Sequence, residues 1–317
     1  MSRRPWGDGW PASLGLMAVT WYSVFYVGQM HEGAESLWGG YPFAVPLMSI
    51  LLAHEFGHYI AARRHGVDIS PPYFIPFPNF LGTMGAVISM RGRIRSRDAL
   101  LDIGAAGPLA GMAVALPVLV VGVLESPIAP APARGTLGPP DALGIPEFVG
   151  GFIQEGHSLL YDALILVLRG GIPDGYDIHL TGTALAGWAG FLVTMINLIP
   201  AGQLDGGHVA YAVFGARQDT YSRRVVAVLP WVALASSALL VLRGWWLHHG
   251  PVSMAGNVQA GLPWLVWWGF LRFITRGDNA QHPPTDDDQL SPVRRKVAWV
   301  TLLLFPLLFM PAWIRMQ

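Results

Sequence analysis

Apolar residues fall in long blocks broken by short polar, proline-bearing or arginine-bearing segments. The blocks are 11–30, 41–62, 99–124, 181–200, 225–243, 258–274 and 297–314. Each approaches the roughly 20 apolar residues that a helix needs to cross a bilayer. The first block is too long for a typical signal-peptide core and no clear cleavage site follows it, so it is read as a retained helix. A further apolar stretch, 159–168, is too short to cross and is expected along the interface or dipping into the bundle. Two connecting segments differ from the rest. Residues 126–146 hold Pro127, Pro130, Pro132, Pro139, Pro140 and Pro146 and are expected to be irregular and external. In 66–98, Pro71, Pro72, Pro76 and Pro78 exclude an ordinary helix. The run Gly82-Thr83-Met84-Gly85-Ala86-Val87-Ile88 that follows reads as a turn and a glycine-rich strand. The predicted fold class is an all-α polytopic membrane protein of six to seven transmembrane helices with one small β-hairpin. There is no internal repeat and no room for a large soluble domain.

Composition supports this pattern. Of 317 residues, 52% are hydrophobic and 13% charged, against about 25% charged in a soluble domain. Net charge is zero, so no global field attracts nucleic acid, and none is expected as a partner. The absence of cysteine excludes disulfides and thiolate ligands and leaves His, Asp and Glu for any metal. With the N-terminus placed in the cytoplasm, all but four of the 20 basic residues fall inside. The four outside are Arg134, Arg169, Arg243 and Arg315. The positive-inside rule therefore selects this orientation, and seven spans put the C-terminus outside.

Within the second block, directly after the apolar run Tyr41–Ala53, stands His54-Glu55-Phe56-Gly57-His58. Ionisable groups at membrane depth are costly and mark function. Residues four apart share a helix face, so His54 and His58 can grip one Zn²⁺ with Glu55 beside them as general base. Arg63 lies nine residues beyond His54, which places His54 about 14 Å from that end of the helix. A catalytic zinc usually takes three protein ligands. The candidate for the third is Asp205, in Asn197-Leu198-Ile199-Pro200-Ala201-Gly202-Gln203-Leu204-Asp205-Gly206-Gly207-His208. An acid at an interrupted membrane helix implies a cavity, and this block runs in the same direction as the HExxH helix.

Together, HEFGH and the distant N-x-x-P-x-x-x-L-D-G resemble the site-2 protease family of intramembrane zinc metalloproteases over about residues 41–210. The resemblance implies one Zn²⁺ per chain held by His54, His58 and Asp205, with Glu55 as catalytic base. Asn197 and Pro200 match the second motif, with Gly206 and Gly207 as its support, and His208 stands where many relatives carry arginine. The glycine-rich segment becomes a re-entrant hairpin that presents substrate near the site. The expected organisation is one integral-membrane protease domain over 1–317, with a catalytic core at 41–210 and C-terminal transmembrane helices in 225–317.

The implied function is hydrolysis of peptide bonds within or near transmembrane segments of membrane-protein substrates. Asn197 would hold substrate backbone or the developing oxyanion, and the strand around Gly85 would bind an unwound segment by β-augmentation. Two alternatives stay open: a metal or ion transporter using the His/Asp site, and a homologue that binds membrane proteins without cutting them. The expected partners are a transmembrane protein substrate and the lipid bilayer, with a homo-oligomer left open. Compactness points to a prokaryotic cell membrane, with the N-terminus and the site toward the cytoplasm. His65 is read as solvated near Arg63 and Arg64. Arg91, Arg93, Arg95 and Arg97 are read as one face of a strand that anchors topology. His282 with Asp286, Asp287 and Asp288 is read as a solvated loop in preference to a second metal site.

Overall fold

In a computed structural model, helices occupy every apolar block. Residues 9–32, 38–131, 136–140, 146–149, 153–246, 257–274, 285–286 and 289–316 are described. The helices are α1 (Trp10–Glu32), α2 (Tyr41–Arg64), α3 (Arg97–Glu125), α4 (Leu159–Arg169), α5 (Gly182–Asn197), α6 (Asp205–Phe214), α7 (Gln218–Trp246), α8 (Leu262–Ile274) and α9 (Pro292–Leu308). Among the described residues, three helical stretches are long and apolar enough to cross a membrane: Tyr41–Arg64, Arg97–Glu125 and Asp205–Trp246. The chain is an integral membrane protein. The block expected at 181–200 is a helix of only 16 residues, α5, followed by an irregular turn and then α6.

The centre of the bundle is α3, with α2 and α5 packed closely on it. Close approach is possible because glycine stands where the backbones meet. A Cβ on Gly57 of α2 would collide with the Ala106 carbonyl of α3, and one on Gly122 of α3 with the backbone of Ala184 in α5. A Cβ on Gly187 would lie 2.6 Å from the Leu119 backbone. Around these contacts Phe43, Leu47, Met48, Leu119, Trp188, Phe191 and Met195 form a core of negligible exposure.

Among the described residues, eight short strands form four two-stranded pairs. β1 (Tyr73–Pro76) pairs antiparallel with β2 (Thr83–Val87), with Phe74 opposite Ala86 and an irregularity before Pro76. Pro76 ends β1 because it carries no N–H for the ladder. The turn of this hairpin presses on α1, where a Cβ at Gly82 (φ +76°) would lie 2.8 Å from the Ser23 carbonyl oxygen. His31 Nε2 donates to the Phe80 carbonyl at 2.9 Å. The stretch 126–146 is less irregular than expected. β3 (Ile128–Pro130) pairs with β7 (Tyr176–Ile178), and β4 (Thr136–Pro140) with β5 (Pro146–Val149). β6 (Ile153–Glu155) pairs with β8 (Ile314–Met316).

One further expectation is corrected. Residues 91–95 are irregular, so no arginine-faced strand forms. Arg93 instead bonds Asp286 at 2.7 Å, and the Asp286 amide donates to the Arg95 carbonyl. His282, Asp287 and Asp288 lie outside the described residues. His65 is exposed but paired, with Nε2 2.8 Å from Asp102 Oδ2. Arg294 grips the same carboxylate with two bonds of 2.8 Å and Asp98 with one of 2.9 Å. This fork ties the first turn of α9 to the first two turns of α3 through geometry suited to guanidinium.

Gly187→Val tests the dependence on backbone contact. Overpacking against Leu119 should cost about 1–3 kcal/mol and lower the thermal midpoint of the detergent-solubilised protein. Gly269→Ala, whose Cβ would meet nothing within 4 Å, should leave the midpoint unchanged.

Candidate active site

The HExxH residues occupy the middle of α2, where the four-residue spacing stacks His54 above His58 on the side facing α3. Their Nε2 atoms are 3.2 Å apart. Asp205 arrives from α6, the continuation of the broken α5–α6 span. The helix stops after Asn197, and Ile199 and Ala201 make only tight turn bonds. Pro200 has no N–H to continue the helix. Gly202 takes φ +56° and donates its amide to Ser222 Oγ at 2.8 Å. The turn then folds back onto α6: a Cβ on Gly206 would strike the Leu198 carbonyl and one on Gly207 the Gly202 carbonyl. These two glycines therefore set Asp205 at the first position of α6, aimed into the bundle.

Asp205 Oδ2 lies 3.2 Å from His54 Nε2 and 3.3 Å from His58 Nε2. The three donor atoms thus form a nearly equilateral triangle. A tetrahedral zinc site has bonds of about 2.0–2.1 Å, so its ligand atoms stand about 3.3 Å apart. The triangle fits one face of such a tetrahedron and leaves the fourth vertex to a water or substrate. His54, His58 and Asp205 are the group that could hold a metal ion among the described residues.

Protonation is set by the surroundings of each ring. His58 Nδ1 is 2.7 Å from the Ile103 carbonyl of α3. A carbonyl only accepts, so Nδ1 carries a proton, and the neutral ring in that tautomer turns the Nε2 lone pair toward the triangle. The Asn197 amide nitrogen lies 3.3 Å from His54 Nε2. Glu55 is buried next to both imidazoles and lines the same cavity, of about 180 Å³. The other walls of that cavity include Asn197, Gln203, His208, the strand residues Ala86 and Val87, and Ile88 just beyond them.

Gly85 sits apart from the predicted set. It takes φ +91° with open space at its Cβ position, and the strand residues after it, not Gly85 itself, line the cavity. Its amide bonds Thr83 Oγ1 at 3.0 Å, so it shapes the strand.

Sequence reasoning passed over the wall formed by α3. A Cβ at Gly107 would occupy the position of His58 Nε2, and one at Gly111 would lie 3.3 Å from His54 Cβ. The only local signal was a Gly-Pro-Leu-Ala-Gly run in an apolar helix, which carries no chemistry by itself. Gly107→Ala should displace the His58 ring and weaken metal binding by about 10–100-fold, read by competitive chelator titration of the purified chain.

Comparison with known proteins accords with this geometry. The family model described as "Peptidase family M50" matches residues 42–240. "Probable zinc metalloprotease EGY2, chloroplastic" of Oryza sativa subsp. indica is 30% identical over 225 residues, 70% of this chain and 38% of the relative. "Probable zinc metalloprotease EGY1, chloroplastic" of Arabidopsis thaliana is 28% identical over 278 residues, 86% of this chain and 43% of the relative. "Probable zinc metallopeptidase EGY3, chloroplastic" of Arabidopsis thaliana is 26% identical over 312 residues, 94% and 48%. The chain spans less than half the length of these relatives. All are chloroplastic, so the expectation of a prokaryotic cell membrane finds no support among them. No solved structure matches. The match to the family model covers well over half of the chain and contains every residue of the donor triangle: the chain belongs to peptidase family M50.

Proposed function

We propose that this chain is a zinc-dependent endopeptidase that hydrolyses peptide bonds within or near transmembrane segments of other membrane proteins. The observation that carries the reading is the triangle of His54, His58 and Asp205, with Glu55 beside it, inside helices apolar enough to cross a membrane. His54, His58 and Asp205 would hold Zn²⁺, which would supply Lewis-acid polarisation of a carbonyl and make water more acidic. Glu55 accepts the proton of the attacking water and passes it to the leaving amine. Asn197, 3.3 Å from His54, donates from its amide to a substrate carbonyl or the oxyanion that develops on it.

A helical substrate keeps its carbonyls bonded internally, so it must unwind before cleavage. Among the described residues β2 has β1 as its single partner strand, and Ala86–Ile88 line the cavity. We assign β2 the binding of the unwound segment by strand addition, with Gly85 giving that strand its shape. The re-entrant depth of this hairpin, the six to seven spans, the single protease domain with its core at 41–210 and the cytoplasmic placement of the N-terminus and the site belong to the same reading. The distribution of basic residues supports the orientation.

Glu55→Gln should retain one zinc per chain by elemental analysis. It should cut a transmembrane peptide in vesicles about 10²–10⁴-fold more slowly than wild type. A chelator should abolish cleavage in wild type, and added Zn²⁺ should restore it. Zinc flux that survives Glu55→Gln would replace this reading with a transporter, and peptide binding without cleavage in wild type with a non-cleaving binder.

A further inference from the structure

We infer that a second cavity, beside the Gly182 end of α5, receives a basic side chain of the substrate about four residues from the bond that is cut. This rests on the protease reading and names a feature of the substrate that the donor triangle cannot read. The cavity has a volume of about 300 Å³. Phe80, Ile178, Leu185 and Trp188 form an apolar wall, while Glu155 at the end of β6 and Asp177 within β7 bring two carboxylates to it. No arginine or lysine lines it among the described residues. Lysine and arginine combine a long apolar stem with a charged head, and this lining offers a surface to each part.

Both carboxylates are held in place. The Tyr161 hydroxyl donates to Glu155 Oε1 at 2.7 Å. The Gln154 amide donates to Asp177 Oδ2 at 3.1 Å, and the Ile178 backbone amide to Asp177 Oδ1 at 2.9 Å. An ionised carboxylate accepts about four hydrogen bonds, so each keeps capacity for an ammonium or guanidinium group. Burial pushes the Glu155 carboxyl above its ordinary value, and an adjoining cation opposes that shift. The apolar wall is equally fixed. The Trp188 indole donates to the Gly156 carbonyl at 2.8 Å, and the Phe80 ring meets the Trp188 ring with centroids 6.2 Å apart. Of the two histidines that also line the cavity, His31 and His179, the first is bound to the Phe80 carbonyl.

Two elements border both this cavity and the one at the donor triangle. The β1–β2 hairpin places Phe80, in its turn, on the second cavity and Ala86 and Val87 of β2 on the first. Helix α5 places Trp188 on the second and Asn197 on the first. These two residues are nine positions apart on one helix, or about 14 Å along its axis. An extended peptide covers that distance in about four residues. A segment held by β2 at the triangle therefore has its fourth residue, counted toward the Gly182 end of α5, within reach of Glu155 and Asp177.

The test uses the full chain carrying Glu55→Gln in vesicles, with transmembrane peptides in which a single lysine is moved through an otherwise constant sequence. Affinity should peak about tenfold at one lysine position, the effect of a hydrogen bond to a charged group, and norleucine at that position should remove the peak. Adding Asp177→Asn or Glu155→Gln should lower the peak to within about twofold of the baseline, with zinc content unchanged. Product masses from wild type should place the favoured lysine three to five residues from the cut bond. A flat scan, a peak that survives both added substitutions, or a favoured lysine at any other distance from the cut bond would each overturn the assignment. The scan and the product masses leave the cavity unaltered, so they decide the matter even where a substituted chain misfolds. A wild type that cuts no peptide would remove the protease reading instead, and the scan with its response to Asp177→Asn would still decide whether this cavity holds a basic side chain.

Discussion

Two imidazoles and two carboxylates lie together among apolar helices, where each would cost several kcal/mol if it were left without a partner. The structure meets that cost locally. His54, His58 and Asp205 are within hydrogen-bonding distance of one another, the Ile103 carbonyl accepts the far side of His58, and Asn197 reaches His54. The need to bring these groups together sets much of the architecture. α2 must face α3 without intervening side chains, and a second span must break at membrane depth so that an acid can be placed at the first position of a new helix.

That break depends on a short series of backbone decisions. Pro200 stops the helical ladder, Gly202 turns the chain through a left-handed conformation, and Gly206 and Gly207 let the turn lie against α6. Ser222 of α7 then fixes the turn by accepting the Gly202 amide. Asp205 is therefore positioned by contacts from α5, α6 and α7 together, while α3 holds the opposite wall.

The parts of this arrangement that were legible in the sequence are those encoded in local spacing. Four-residue spacing of two histidines, an acid beside two glycines and blocks of about 20 apolar residues each carry their own physical signature. Gly107 and Gly111 carry none until α2 is packed against them. The same holds for the Ile103 carbonyl, which any residue supplies. His65 is exposed, as its place beside Arg63 and Arg64 suggests, but its partner Asp102 lies 37 positions away and local spacing gives no sign of it. Alternating arginines at 91–97 mimic a strand, but Ser96 caps α3 by accepting the Ala99 amide and the helix begins at Arg97. The strands within 126–149 were hidden by prolines, which occupy strand ends such as Pro130, Pro140 and Pro146.

The glycine wall of α3 also bears on which ions the site admits. Opposite His54 and His58 on α3 stand Gly111 and Gly107, which have no rotamers to adjust. A cation held tetrahedrally with bonds of about 2.4 Å needs donor atoms about 3.9 Å apart. Reaching that spacing from 3.2–3.3 Å means separating α2 from α3 along a seam where Gly57 already rests on the Ala106 carbonyl. Selection by ionic radius is thus built into the distance between two helices, and the cost of a misfit falls on the whole bundle.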